Sequence, residues 1–440
     1  MLQREYLKQA CAAINRRFVG SEGRKRVLAN SGWLILDRVL RAVAGLLVGA
    51  WMARYLGPSQ FGLLSYVLAF TALFQAIANL GADAIVVRDI AHDRDAAPEI
   101  LGTVLALRIA SGMACWLLCV GVVAASTGDS RTIVLAAIVS ASIVFQASDT
   151  VDLWFQSQTQ SRLTVSAKLA ALGLSTALKV GLILVEAPLV AFAAVFTFDA
   201  AACALAMIYV YRRYPTDRAW SHVRQRALPL LKESWPLLAS ATAIMVYMRV
   251  DQIMIKQMLG DAALGIYAAA LPLSQLWQVL PLTLAVSLAP FITRRKASNE
   301  ASYRRLMVLL FRGFFYLGVA VTLLTWLVSE PLVNGLFGPA FAQSAKVADI
   351  HVASNIFCFL GIARGLWLIN ERRFAVLLYG TLLAGATGVL LNWLLLPRIG
   401  VVGAAWTAIA VQFVAAFLIN MFLDRNSFRM QLEAIFFWRS

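Results

Sequence analysis

Charged residues are scarce in this sequence. Of its 440 residues, 14% are Asp, Glu, Lys or Arg and 60% are hydrophobic, whereas soluble domains average about 25% charged and about 45–50% apolar residues. The mean hydropathy is +0.74. This composition excludes an ordinary soluble domain and predicts a protein that crosses a membrane many times.

Cysteine and histidine are scarce as well. The five cysteines form no disulfide framework, and Cys115 and Cys119, one helical turn apart, lack the further His or Cys that a zinc site needs. The three histidines lie far apart in the sequence. The phosphate-binding motif G-x-x-x-x-G-K-[ST] and any large extramembrane domain are missing, which argues against a nucleotide-driven pump. No metal and no cofactor are therefore expected.

The first thirty residues are polar and basic. They contain neither the apolar core nor the small-residue cleavage site of a secretory signal peptide. We interpret them as a cytoplasmic amphipathic segment that rests on anionic lipid.

Twelve apolar runs are long enough to cross a membrane, which takes about 20 helical residues for about 30 Å of hydrocarbon. They predict an all-α polytopic membrane protein. The run 264–291 contains Pro272, Pro281 and Pro290, so kinks are expected there. The runs cover residues 31–53, 61–81, 101–123, 132–151, 163–185, 189–211, 234–255, 264–291, 306–328, 347–370, 375–395 and 401–423.

Lys and Arg concentrate on one side of the predicted membrane. Of the 39 Lys and Arg residues, 27 fall in the termini and in or next to the loops that follow even-numbered runs, if Lys168 near the start of the fifth run is counted with its loop, and five fall in the opposite loops. Because cytoplasmic loops collect positive charge, both termini are expected in the cytoplasm. This distribution explains most of the +16 net charge, so no nucleic-acid partner is expected.

An internal repeat divides the chain. The stretches "YLGPSQFGLLSY" and "MLGDAALGIYAA" share the pattern L-G-x-x-x-[FL]-G, so that Gly57 aligns with Gly260 and Gly62 with Gly265 at an offset of 203. Six spans per repeat predict two parallel six-helix bundles with a substrate site between them. The predicted units are a basic N-terminal segment 1–30, a first bundle 31–211, a cytoplasmic linker 212–233, a second bundle 234–423 and a cytoplasmic tail 424–440.

Three stretches resemble a known family. "ARYLGPSQFGLLSYVLAF", "SWPLLASATAIMVYMRVDQIMIKQMLGDAALGIYAAA" and "LPRIGVVGAAWTAIA" are similar to segments of Wzx-type polysaccharide flippases, which belong to the multidrug/oligosaccharidyl-lipid/polysaccharide exporter superfamily. The resemblance covers residues 25–425. It implies a V-shaped, alternating-access transporter with a cation-rich central cavity. The implied activity moves an undecaprenyl-pyrophosphate-linked oligosaccharide from the cytoplasmic to the periplasmic leaflet, for O-antigen or exopolysaccharide synthesis.

The resemblance also implies partners. These are the lipid-linked oligosaccharide, membrane lipids, and a polymerase and a chain-length regulator of the same pathway, and the protein itself is expected to be a monomer. The peptidoglycan-precursor flippases of the superfamily carry fourteen spans, whereas this sequence shows twelve apolar runs, so their substrate is disfavoured.

Seven cations lie within the predicted spans, where an unpaired charge costs about 2.5–3.5 kcal/mol or more. Arg side chains offer paired donors that suit phosphate oxygens, so these cations are candidates for binding a lipid pyrophosphate. The alternatives are snorkelling toward the headgroups and, for Arg41, pairing with Asp37 one helical turn away. The seven candidates are Arg38, Arg41, Arg108, Lys179, Arg249, Arg312 and Arg364.

Three acids within the spans, Asp37, Asp199 and Asp251, are candidates for coupling transport to protons or other ions. A structural ion pair with a nearby Arg is the alternative. Arg249 and Asp251 stand two residues apart and so point about 200° apart on a helix. We expect Arg249 to face the substrate path. Sugar-binding candidates are Tyr66, Gln75, Asn79, Tyr247, Gln275, Trp277, Asn355 and Asn392.

Two other functions compete with a flippase. A drug exporter of the same superfamily would favour cationic substrates and acids in its cavity. A membrane-bound polymerase or ligase would place catalytic residues in a large periplasmic loop, but the longest predicted outer connection, 329–346, is short. The sequence therefore predicts a transporter and not an enzyme.

Overall fold

The computed structural model describes residues 21–216 and 219–436, and within these ranges the chain contains helices and no strand. The first half consists of α1 (Ser21–Ala78), α2 (Asp83–His92), α3 (Ala97–Ser126), α4 (Ser130–Ser140), α5 (Ser142–Phe145), α6 (Asp149–Ser157), α7 (Ser161–Leu184) and α8 (Leu189–Arg213). The second half consists of α9 (Arg224–Leu259), α10 (Asp261–Gln275), α11 (Val279–Ser298), α12 (Glu300–Leu336), α13 (Ala342–Val352), α14 (Ser354–Asn370), α15 (Phe374–Ile399), α16 (Val401–Phe413), α17 (Ile419–Leu423) and α18 (Arg425–Phe436).

The helices supply enough apolar length for the predicted spans. Ten helical stretches are long and apolar enough to cross a membrane, and the bent pair Pro339–Val352 and Ser354–Asn370 makes an eleventh. One of the ten, Leu36–His92, has 57 residues and combines α1 from Leu36 onward with α2. Its α1 part is about 65 Å of helix, about twice the hydrocarbon thickness of about 30 Å. Gly57 interrupts it, so its two arms supply two spans, and the total agrees with the twelve predicted runs.

The two repeats turn at equivalent glycines. Gly57 has φ 72° and ψ 169°, and Gly260 has φ 89° and ψ 178°. Side chains other than glycine rarely adopt this positive-φ conformation, which explains why both repeats place glycine there. We call the end of the molecule that carries these glycines the corner end. The opposite end, which carries the connection 214–223, is the linker end.

The two halves cross at a close helix contact beside these corners. A Cβ built on Gly62 would lie 1.8 Å from the backbone oxygen of Asp261, and a Cβ built on Gly265 would lie 1.9 Å from the backbone oxygen of Pro58. Both pairs are related by the 203-residue offset. The repeat therefore forms a pseudo-symmetric crossing of α1 and α10 in which the backbones touch directly.

The buried side chains show where the halves join. The largest buried cluster lies toward the corner end and contains residues of both halves, including Tyr66 and Tyr267. Two further clusters belong to one half each, one around Trp154 and the other around Tyr303. The shared core thus lies at the corner end, and the separate cores toward the linker end agree with the predicted V-shaped architecture. At the linker end α9 still contacts the first half, through an ion pair with α2 and a close backbone approach.

One helix break lies near a proline, as expected, and another occurs where the sequence contains no proline. The break expected in the eighth run is present, because α10 ends three residues after Pro272 and the 3-10 turn Leu276–Gln278 follows. The fourth run is also broken, at Ala141 and at the 3-10 turn Gln146–Ser148, although it contains no proline. There the interruption brings polar side chains toward the interior of the first half.

Helices extend into the segments predicted as extramembrane. α1 begins at Ser21, whereas residues 1–20 of the predicted N-terminal segment lie outside the described residues. α9 begins at Arg224, within the predicted linker. The predicted tail forms α18, which buries Met430 and Ala434, and residues 437–440 are outside the described part.

Candidate functional site

A cavity of about 460 Å³ lies between the two halves, within the range of about 300–1,000 Å³ that is usual for small-molecule sites. We call it the central cavity. The first half lines it with residues of α1, α4, α5 and α8, including Gln75 and Asp199. The second half contributes α9 and α10, including Arg249, Gln252 and Gln275. Its walls therefore belong to both repeats, as the parallel-repeat architecture predicts.

Three smaller pockets share lining residues with the central cavity. The first-half pocket, about 270 Å³, shares Gln75 and Asp199 with it. The side pocket, about 220 Å³, shares Ser65 and Phe196. The second-half pocket, about 60 Å³, shares Gln275. Polar surface therefore extends from the centre into both bundles.

Arg249 lines the central cavity, and its charge acts on Asp251 only at a distance. Within residues 21–216 and 219–436, its guanidinium makes no hydrogen bond or ion pair. Asp251, two residues later on α9, lines the second-half pocket instead. The two charges thus face different spaces, as their helical spacing predicts, and Arg249 is free to bind an anion.

Asp251 belongs to a polar network in the second half. Its carboxylate accepts a hydrogen bond from the Tyr267 hydroxyl, and the Tyr267 ring packs edge-to-face on His351 at 6.0 Å between ring centroids. His351 Nδ1 lies 2.7 Å from the Ser274 hydroxyl. In the described part of the chain no cation lies within ion-pair distance of Asp251, so a structural pair with Arg249 is absent there.

Paired charges line the first-half pocket. Arg41 and Asp37 form an ion pair of 2.9 Å, which is the pairing that the sequence left open as an alternative to substrate binding. Lys168 lies 2.8 Å from Asp152 and 3.2 Å from Asp149. Because Lys168 stands near the start of the fifth apolar run, hydropathy groups it with the preceding loop and does not mark it as a site residue. The break between α5 and α6 is what brings these acids to Lys168.

Lys179 of α7 lines the side pocket, next to Asp199 of α8 in the central cavity. The Lys179 ammonium lies 4.4 Å from the centroid of the Phe196 ring, a distance suited to a cation–π interaction. Asp199 lines both the central cavity and the first-half pocket. Among the described residues, its carboxylate has no hydrogen-bond or ion-pair partner.

Two of the predicted cations have protein partners outside this cavity. Arg108 is 3% exposed, pairs with Asp83 and donates a 2.7 Å hydrogen bond to Asn79. Arg312 donates to the backbone oxygens of Glu433 and Ala434 at 3.1 and 3.3 Å, and so holds α18 against α12. Neither side chain is brought to the central cavity, because each satisfies groups at a helix junction.

Arg364 also satisfies groups within the protein. It is 4% exposed and donates hydrogen bonds to Asn420 at 2.6 Å, to the Ala415 oxygen at 2.8 Å and to the Val376 oxygen at 3.3 Å. Ala415 lies in the π-helical turn Val414–Leu418, a rare conformation that leaves the regular hydrogen-bond pattern of the helix. Arg364 therefore stabilises this turn and does not snorkel.

Replacing Arg364 by methionine should lower the stability of the protein. The change leaves buried oxygens without a donor, at about 1–3 kcal/mol for each buried group. We expect a lower midpoint of thermal unfolding in detergent, followed by size-exclusion chromatography, and partial recovery with Arg364→Lys. The matched control is Arg38→Met, because Arg38 is exposed on α1. An unchanged midpoint for Arg364→Met would contradict the structural role.

The charges that line these spaces are balanced. The cations are Arg41, Lys168, Lys179 and Arg249, and the acids are Asp37, Asp149, Asp199 and Asp251. This lining differs from the cation-rich cavity that the family resemblance implies. Since Arg41 and Lys168 are paired with acids, Arg249 is the cation best placed to meet an anionic ligand in the central cavity.

Of the eight sugar-binding candidates, four line the cavities and four contact protein groups. Gln75 and Gln275 line the central cavity, and Tyr247 and Asn392 line the second-half pocket. The remaining four contact protein groups: Asn79 bonds Arg108, Asn355 bonds the Ser274 oxygen, Tyr66 lies in the core, and Trp277 packs against a core cluster. Sequence reasoning missed Gln252, His351 and Lys168, since nothing in a single sequence shows that they face the cavity.

Comparison with known proteins identifies the family. The family model described as "Polysaccharide biosynthesis protein" matches residues 27–296, more than half of the chain. The chain belongs to this polysaccharide biosynthesis family. A search of curated proteins gives no match.

This chain shares its fold with solved transporters. An inward-facing multidrug resistance MATE transporter of the MOP superfamily matches with a TM-score of 0.74 and 14% identity over 90% of this chain and 99% of that chain. The lipid II flippase MurJ, in an inward closed conformation, matches with a TM-score of 0.68 and 12% identity over 93% and 91%. An outward-facing MATE transporter of the superfamily matches at 0.61 and 14% over 92% and 96%.

These matches show the fold and agree with its arrangement. The chain is therefore a multi-pass membrane protein of a polysaccharide biosynthesis family, with the fold of these solved transporters.

Proposed function

We propose that this protein is a flippase for an oligosaccharide linked to undecaprenyl pyrophosphate. It moves this substrate from the cytoplasmic to the periplasmic leaflet of a bacterial inner membrane, for synthesis of a surface polysaccharide. The observation that carries the proposal is the central cavity between the halves, with the unpartnered guanidinium of Arg249 in its wall. Membership of the polysaccharide biosynthesis family supports the substrate class.

The positive charge of the loops sets the proposed orientation. The linker end carries the Lys- and Arg-rich connections, so it lies in the cytoplasm and the corner end in the periplasm. In this orientation, the structure is closed toward the periplasm by the crossing of Gly62 and Gly265. A pyrophosphate head would enter from the cytoplasmic side, bind Arg249 through paired N–H donors, and leave after the two halves rock against each other around the cavity.

The glutamines of the central cavity suit the carbohydrate. Gln75, Gln252 and Gln275 line this cavity from both halves. Each amide offers donors and an acceptor, so it can bond to sugar hydroxyls of varied arrangement. A wall of this kind binds the oligosaccharide without strict selection for one sugar.

A deletion strain tests this function. Loss of the protein should remove the surface polysaccharide and cause its lipid-linked precursor to accumulate in the cytoplasmic leaflet. The gene for the wild-type protein should restore the polymer, and the gene for Arg249→Gln should fail to do so at equal protein level. Intact polysaccharide together with increased drug sensitivity would overturn the proposal.

A drug exporter is the second candidate. The observation that favours it is Asp199, an unpartnered acid in the central cavity, because a cationic drug would pair with it. The strain carrying Asp199→Asn separates the two functions. A drug exporter would lose resistance with this change, whereas a flippase would keep the polysaccharide and show no change in drug sensitivity.

Asp251 is the proposed coupling residue. A carboxylate inside a membrane protein that bonds to a tyrosine and has no cationic partner is suited to exchange a proton or bind a cation. A pH or sodium gradient imposed across vesicles should accelerate flipping by the wild-type protein. Asp251→Asn should flip at one rate with and without the gradient, and Asp152→Asn serves as the control. Equal rates for the wild type under all gradients would contradict coupling.

A further inference from the structure

An apolar groove of about 570 Å³ lies at the boundary between the two halves, apart from the polar cavities. We call it the lateral groove. Ile77 of α1 contributes one wall, and α9 and α15 contribute the others. Large apolar side chains along it are exposed, with Trp235 63% and Leu382 53% accessible.

The groove contains almost nothing that a polar ligand could bind. Its lining is apolar apart from Thr242 and Thr381, and the Thr381 hydroxyl already donates to the Leu377 oxygen at 3.0 Å. The space exists because small residues stand on both walls: Ala239, Ala243, Gly385 and Ala386. An occupant must therefore be an apolar and narrow chain.

The length of the groove matches one leaflet. Along α9 it runs from Trp235 to Val246, which is about 16 Å of helix and close to half of the hydrocarbon thickness of about 30 Å. It begins near the linker end, where Leu238 meets Gly81 of the first half. The groove thus spans the leaflet on the side where the polar cavity is expected to accept its substrate.

The groove and the central cavity both border α9. Val246 lines the groove, and Arg249, three residues further along α9, lines the central cavity. At the same level, a Cβ built on Gly385 would lie 3.7 Å from the Tyr247 Cβ, so α15 packs closely on α9 and separates the groove from the second-half pocket. Val246 and Arg249 lie on the same face of α9, so a lipid whose apolar chain lies in the groove would have its charged head within about 5 Å, measured along the helix, of Arg249.

We propose that the lateral groove binds the isoprenoid chain of the lipid carrier while its pyrophosphate occupies the central cavity. This inference rests on the proposed flippase function and names the part of the substrate that the polar cavities cannot hold. Because Ile77 belongs to the first half and the other walls to the second, the groove changes shape when the halves move. The chain is then held during capture and released as the cavity opens to the other leaflet.

Photolabelling tests the proposal directly. The probe is a polyprenyl diphosphate with a diazirine in its chain, added to the full-length protein in phospholipid vesicles. Peptides that contain residues 235–246 and 381–389 should carry the label, and unlabelled polyprenyl diphosphate should compete for it. A phospholipid with a diazirine in its acyl chain serves as the comparison probe. Equal labelling of the groove by both probes, or labelling spread evenly over the lipid-facing helices, would overturn the proposal.

Filling the groove provides the second measurement. Ala243→Leu and Ala386→Leu occupy the space with a branched side chain, so labelling in the groove should fall at least about tenfold through the loss of buried contacts with the chain. The matched control is Ala320→Leu, since Ala320 is exposed on α12 outside the groove. Unchanged labelling and flipping in both groove variants would overturn the inference.

The two proposals fail in different ways. If the wild-type protein flips the lipid-linked oligosaccharide but is not labelled in the groove, the proposed function is supported and this inference is wrong. If the wild-type protein neither binds nor flips a polyprenyl diphosphate, the proposed function is wrong. If cross-linked dimers show that a second copy of the protein covers the groove, and the lipid probe does not label it, the groove is a dimer contact and not an isoprenoid site.

Discussion

Replacing Gly62 or Gly265 by leucine is expected to slow transport about tenfold or more, since overpacking a close contact costs about 1–3 kcal/mol and each 1.4 kcal/mol is a factor of ten. A Cβ at either position would lie within 2 Å of a backbone oxygen of the other half. Backbone atoms cannot move aside as a flexible side chain can. The two helices must separate, and the state that is closed at the corner end becomes disfavoured.

The expected structural change can be measured with spin labels. Label pairs at Glu186 and Arg398 report on the corner end, and pairs at Thr159 and Asn299 report on the linker end, because all four residues are exposed. In Gly265→Leu the corner-end distance should increase and the linker-end distance should decrease. The matched control is Gly121→Leu, where a Cβ has no neighbour within 4 Å. Normal transport and unchanged distances in both glycine variants would refute the role of the crossing.

Arg249→Gln should weaken the apparent affinity for the lipid-linked substrate about 10- to 100-fold, because a hydrogen bond to a charged group contributes about 1.5–3 kcal/mol. Arg249→Lys should lie between the wild type and Arg249→Gln, since an ammonium keeps the charge and loses the paired donors. The measurement is the substrate dependence of the flipping rate in vesicles.

A second arginine provides the control for this effect. Arg38→Gln removes the same charge from the exposed face of α1, whereas Arg249 faces the central cavity. Arg38→Gln should keep an affinity close to that of the wild type. Equal losses for the two variants would show that the net charge of the protein, and not the position of Arg249, determines binding.

The sequence predicts the helices and the repeat because both produce patterns over short stretches of neighbouring residues. Long apolar runs mark the spans, and the alignment of Gly57 with Gly260 marks the corners that the structure shows. The contact between Gly62 and Asp261 could not be predicted in the same way. It depends on the angle at which two distant helices meet, and small residues occur in many helix contacts.

The sequence identifies the buried charges and does not assign their partners. Arg364 and Arg249 look alike as single arginines in apolar runs, yet one supports a π-helical turn and the other faces a cavity. Sequence reasoning misses Lys168 because a break in the fourth run brings Asp149 and Asp152 close to this lysine. That break contains no proline, so the sequence does not predict it. Partners of this kind are set by tertiary packing, so hydropathy and spacing cannot supply them.

Transport by the purified protein tests the central claim most directly. Vesicles are loaded with a fluorescent oligosaccharide on a polyprenyl diphosphate, and a membrane-impermeant reagent quenches the molecules in the outer leaflet. With the wild-type protein, the inner-leaflet pool should become accessible to the reagent, and with Arg249→Gln it should stay protected. Protection of that pool in the presence of active wild-type protein, together with uptake of a cationic dye, would contradict a flippase and indicate a drug exporter.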